Sequence, residues 1–150
     1  MNMFLLPAPE RMAAWREFRK SIQNLSEQEQ LEAVAKWGAQ MPTCNFIIDP
    51  DDPKSWPSPW ELINDGDFCT SAVAYLMEQT LIILGWDVDR LKLTYVRDVV
   101  RHDQMMVLLV DDKWALNYQY GNVFNFDNVR SDCAYLATYR PGREGGHIEV

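Results

Sequence analysis

The segment Lys54-Ser55-Trp56-Pro57-Ser58-Pro59-Trp60-Glu61-Leu62-Ile63 runs into Asn64-Asp65-Gly66-Asp67-Phe68-Cys69, and a long apolar stretch follows. Two prolines fix φ and stiffen the approach, and the Asp and Gly residues after Ile63 supply a turn. From about Cys69 to Leu84 the spacing is helical: Cys69, Val73, Leu76, Thr80 and Ile83 share a face, and Gly85 supplies a stop. A cysteine therefore opens a core helix at the end of a rigid aromatic loop. A thiol there lies near the positive end of the helix dipole and near unpaired backbone N–H groups, both of which favour thiolate.

The rest of the chain surrounds this unit in a simple order. Pro9 to about Ile22 reads as an amphipathic helix, with Met12, Trp15, Phe18, Arg19 and Ile22 at helical spacing. Ser26 followed by Glu29 predicts a capping box for a second helix carrying Leu31, Val34 and Trp37, ended by Gly38 and Pro42. A loop rich in Pro and Asp leads to Trp56, and Pro59–Asn64 reads as a short helical turn. From Leu91 the period changes to two. Leu91–Val96, Gln104–Val110, Trp114–Tyr120 and Cys133–Tyr139 read as strands, with Asp111-Asp112-Lys113 as a hairpin turn. Residues 140–150 are expected to be a loose tail. Helices first and an antiparallel sheet afterwards make an α+β domain.

Nucleophilic use of Cys69 needs an imidazole within hydrogen-bond reach and an amide or carboxylate to orient it. The chain order offers Cys69, His102 and Asn117. Charge narrows the partners: a net charge of −8 excludes a general phosphate-backbone binder. With two histidines and no Cys-x-x-Cys spacing, no metal or other cofactor is expected. Cys44, Cys69 and Cys133 leave an odd thiol, so free cysteines in a reducing compartment are expected, with Cys44 and Cys133 structural. The N-terminus has no basic n-region, and no apolar run approaches a membrane span, so the expected location is cytoplasmic. At 150 residues the chain fits one domain.

On these residues the chain resembles the bacterial transglutaminase-like cysteine peptidases of the papain-like group. The matching positions are Trp56, Ser58-Pro59, Glu61, Gly66-Asp67 and Cys69, then Met105-Met106-Val107-Leu108 and Leu116-Asn117. Upstream, Trp15 and the stretch 26–34 are similar as well. The resemblance implies a papain-like α+β fold with the Cys-bearing helix packed on the sheet. It also implies catalytic Cys69 and Asn117, while the family's strand histidine falls on Met105. Phe68 interrupts Gly-Asp-Cys, and Thr70-Ser71 replaces an acidic pair that the family associates with calcium. Trp-Pro-x-Pro-Trp-Glu is similar to small phage-encoded proteins, which implies host cytoplasm and a host or virion protein as partner.

Hairpin geometry weighs His102 against Met105. With a three-residue loop, Val110 pairs with Trp114, and Asn117 shares a face with Met105, about 7–8 Å away diagonally; His102 then has the opposite parity. With a two-residue loop, Asn117 shares parity with His102, but about 13 Å separates them along the strand. Two functional readings stay open. In one, the fold has lost its catalytic geometry and binds a protein or peptide, with Trp56, Trp60 and Met105 walling a groove. In the other, the protein is a cysteine peptidase, amidase or acyl transferase using Cys69, His102 and Asn117.

Overall fold

The computed structural model describes residues 2–43, 49, 52–142 and 145–150. Helix α1 (Ala8–Ile22) begins after Pro7, has Pro9 in its first turn, and buries Arg11, Trp15 and Ile22. Helix α2 (Glu27–Gly38) opens on the expected capping box: Ser26 Oγ accepts from the Glu29 N–H, and Glu29 reaches back to the Ser26 N–H. Helix α3 (Pro59–Asp65) is capped by Ser58 and closed by Gly66 at φ 75°, a left-handed residue that glycine adopts without strain.

Helix α4 (Thr70–Ile83) is buried around most of its circumference, from Ser71 through Glu78 and again at Thr80 and Leu81. The one-face pattern read from sequence holds at Val73, Leu76 and Thr80, but Ile83 at the end is half-exposed. The helix is apolar all round because it runs between the other helices and the sheet, so no stripe is left for solvent.

Among the described residues, six antiparallel strands form one sheet in the order β4-β3-β2-β1-β5-β6. They are β1 (Leu91–Asp98), β2 (Asp103–Val110), β3 (Trp114–Leu116), β4 (Phe124–Asn125), β5 (Cys133–Pro141) and β6 (His147–Glu149). The three-residue hairpin alternative is the one formed, with Val110 opposite Trp114 and Leu108 opposite Leu116. Strand alternation divides the core. Leu91, Leu93, Met106, Leu108, Val110, Leu116 and Tyr139 pack with α4 and the helical half. Val96, Met105, Val107, Leu109 and Ala115 face the other way, where Tyr118 and Phe126 cover them.

Two expectations need correction. The strand expected to reach Tyr120 stops at Leu116, because Asn117 takes a left-handed φ of 70° and turns the chain. The tail is not loose throughout: His147–Glu149 pairs with Tyr139–Pro141 as β6. A glutamate inside the core supplies the reason, as shown below.

Candidate active-site cleft

The turn that delivers Cys69 is clamped from α1. The guanidinium of buried Arg11 donates to the Ile63 carbonyl (2.5 Å), the Asn64 carbonyl (2.6 Å) and the Leu6 carbonyl (2.6 Å). It thereby satisfies carbonyls at the end of α3 that have no partner within that helix. Next, Phe68 is fully buried, edge-on to Phe4 with centroids 5.3 Å apart. The residue that interrupts Gly-Asp-Cys is therefore a core anchor.

Cys69 stands one residue ahead of α4. It is the N-cap of α4, with extended backbone, and its Sγ accepts from the Ala72 N–H at 3.4 Å. Only 4% of the residue is exposed. The sulfur is thus turned onto its own helix.

Asn117 reaches the same helix start from the sheet. Its Nδ2 donates to the Thr70 carbonyl and the Met106 carbonyl, both at 2.9 Å. Its left-handed backbone, tolerated by Asn better than by most residues, lifts the amide out of the β3 pleat toward α4. A hollow of about 170 Å³ opens beside it, lined by Thr70, Met105, Asn117, Arg101, Gln104 and Tyr120 among others. Met105 belongs to the second face of the sheet and contributes to this hollow.

His102 sits elsewhere. It occupies the β1–β2 turn at φ 54°, exposed, in a neighbouring hollow with Arg97 and Val99 that shares Asp103 and Gln104 with the one beside Asn117. The turn is pinned by buried Asp98, which accepts from the Val100 N–H (3.0 Å), the Arg101 N–H (2.9 Å) and the Tyr118 hydroxyl (2.6 Å). Burial pushes the Asp98 carboxyl upward, but these hydrogen bonds and the Arg101 charge prevail and hold it below the ordinary carboxylate range. Among the described residues no hydrogen bond joins His102 to Cys69 or to Asn117.

The two tryptophans part company. Trp56 is an anchor: its ring packs against Tyr75 (5.8 Å), Tyr139 (5.0 Å) and His147 (5.0 Å), and its Nε1–H donates to the Asp49 carbonyl. Trp60 is 49% exposed, edge-on to Trp15. Cys69 and Cys133 are free thiols; Cys44 lies outside the described residues. Burial and the charges of Asp98 and Asp132 push the Cys133 thiol upward.

A second histidine centre was not read from the sequence. His147 Nε2 lies 2.6 Å from Glu78 Oε1, and both side chains are almost completely buried. The imidazole also packs against Trp56 and Tyr75. Glu78 lies nine residues beyond Cys69, so about 13 Å along the helix axis separates this pair from the thiol. One signal was available: a glutamate inside the apolar run Ala72–Leu84 implies a buried partner.

Among the described residues no group of three or more His, Cys, Asp or Glu side chains stands together as a metal cluster. Thr70 and Ser71 follow Cys69, so this end of α4 offers no acidic pair for a calcium ion. No described helix is long and apolar enough to cross a membrane.

No protein-family model matches the chain, and no curated protein sequence does either. Among solved structures it is similar to Legionella pneumophila LapG, at 23% identity and a TM-score of 0.69, over 87% of this chain and 73% of that one. An EGTA-treated form of LapG gives the same values, and calcium-bound LapG gives a TM-score of 0.71 over 93% of this chain and 78% of that one. The likeness shows the architecture that the Trp56–Cys69 segment implied: this chain has a transglutaminase-like α+β fold.

Proposed function

We propose that this transglutaminase-like protein works by binding a protein or peptide and not by cysteine catalysis. The observation that carries this reading is the state of Cys69: buried, capping its own helix, with no imidazole bonded to it among the described residues. A thiol without a base within reach has nothing to take its proton. Met105 at the family's histidine position, and a β1–β2 turn pinned by Asp98, support the same reading. Similarity to small phage-encoded proteins makes a host or virion protein the first partner class to test. Incubation with peptide and ester substrates is expected to give no turnover above that of Cys69→Ala. Turnover that disappears in both Cys69→Ala and His102→Ala would remove the binding-only reading.

A second reading rests on Asn117, whose amide reaches the carbonyl of Thr70, the residue beside the thiol. In an active cysteine hydrolase, Cys69 would attack the substrate carbonyl carbon as His102 took the thiol proton. His102 would return that proton to the leaving amine while Asn117 oriented the ring, and N–H groups at the α4 start would hold the oxyanion. That reading requires the 99–102 turn to carry His102 to the helix start.

A further inference from the structure

One cationic surface stands out in a chain of net charge −8. Arg16, Arg19 and Lys20 line a hollow of about 340 Å³ whose other walls include Ile83 and Leu84 at the end of α4. Lys20 makes an exposed 3.7 Å pair with Glu17. Arg16 and Arg19 have no ion pair or hydrogen bond among the described residues, and the Arg19 Nε is buried with no acceptor. Burial and the neighbouring Arg16 charge both lower the Arg19 pKa. Cations in a helix's last turn complement its dipole, which accounts for Arg19 and Lys20 being basic. It does not account for Arg16 beside them, nor for a buried N–H left without an acceptor.

Apolar surface adjoins the charge. The Arg19 guanidinium lies 4.5 Å from the centroid of the Trp15 ring, and the exposed Trp60 lies 5.8 Å from that centroid. Ile83 is exposed on the other side of the hollow. Arginine and tryptophan beside a half-exposed aliphatic are the residue types that carry binding energy at protein interfaces.

We infer that this α1–α4 hollow is a docking surface for an acidic protein segment. A carboxylate of that segment meets Arg16 and Arg19, and an apolar side chain covers Ile83 and Leu84. The inference rests on the binding reading above and deepens it by naming the surface and the partner's chemistry. Charge complementarity selects an acidic occupant: a bound carboxylate pairs with the exposed Arg16 and offsets the like charge of Arg19 beside it.

The test uses a fluorescein-labelled peptide of alternating Glu and Leu, its Gln–Leu counterpart, and single-stranded oligo-dT, each titrated by fluorescence anisotropy. The Glu–Leu peptide is expected to bind about tenfold more tightly than the Gln–Leu peptide, and to lose about tenfold against the charge-reversed variant Arg16→Glu, Lys20→Glu. Both side chains of that variant are exposed, so Arg19 still roofs Trp15 and the fold is kept. Amide NMR shifts should move at residues 16–20 and 83–84. Equal affinity for both peptides, unchanged affinity in the variant, no binding, or equal binding of oligo-dT would each overturn the inference. Peptide shifts confined to the Thr70–Asn117 hollow would overturn it too, while leaving the binding reading intact. Cys69-dependent hydrolysis would end the binding reading without moving the affinity ratio.

Discussion

A sulfur that accepts the Ala72 N–H does the work of a capping hydroxyl at the start of α4. Removing the cap in Cys69→Ala should cost about 1 kcal/mol, with Cys69→Ser closer to wild type, read from urea midpoints at constant slope. A stabilising Cys69→Ala would show that the thiol is strained for chemistry instead. Asp98 gives the clearest pH signature at this scale. Its pKa in the folded chain lies below its value in the unfolded one, so its contribution is present above the unfolded pKa of about 3.9. The contribution is lost as pH falls through the folded value. Asp111 and Asp112 are depressed as well: the Arg90 hydrogen bond dominates at Asp111, while at Asp112 burial opposes the Lys92 and Arg130 interactions that prevail. Stability should therefore hold from neutrality to about pH 5 and fall below about pH 4. Asp98→Asn should shrink that fall; an identical acid limb in the variant would remove Asp98 from the account.

Between elements, two long-range polar contacts hold what periodicity cannot. Arg11 ties the α3–α4 turn to α1, and Arg11→Met leaves the carbonyls of Leu6, Ile63 and Asn64 without that donor. A loss of about 2–4 kcal/mol is expected by urea unfolding, and a loss under about 1 kcal/mol would mean that water replaces the guanidinium. His147 ties β6 to α4 through Glu78. His147→Ala leaves buried Glu78 with only the Gln79 amide as a donor and should destabilise by about 3 kcal/mol, with hydrogen exchange at 147–149 rising toward the unprotected rate. Retained protection at those amides would show that the ladder with β5 is enough to hold the strand. The helices and the place of the hairpin were legible in the sequence because caps, turns and periodicity are local, whereas its register stayed open between a two- and a three-residue loop until the pairing of Val110 with Trp114 decided it. The end of β3 at Asn117 and the pairing of β6 were not, since each depends on a partner distant in sequence: Thr70 for Asn117, Glu78 for His147. Of the candidate trio, Asn117 is brought to the helix start, whereas the position of His102 turned on strand parity and on the pinned 99–102 turn.

For the molecule as a whole, a transglutaminase-like fold is present while the Cys69 sulfur lies buried on its own helix. Fold and chemistry separate readily, since a scaffold is held by its core and a reaction by the placement of a few atoms. On the proposed binding reading, the Arg16–Arg19–Lys20 hollow is where a chain of net charge −8 would meet an acidic partner. The most direct measurement of the central claim is site-resolved alkylation of the intact protein by iodoacetamide at pH 6, followed by peptide mass spectrometry. A withdrawn, capping sulfur predicts that Cys69 reacts no faster than Cys133 and that His102→Ala leaves its rate unchanged. A Cys69 rate about tenfold or more above that of Cys133, falling in His102→Ala, would contradict the claim and show an activated thiolate.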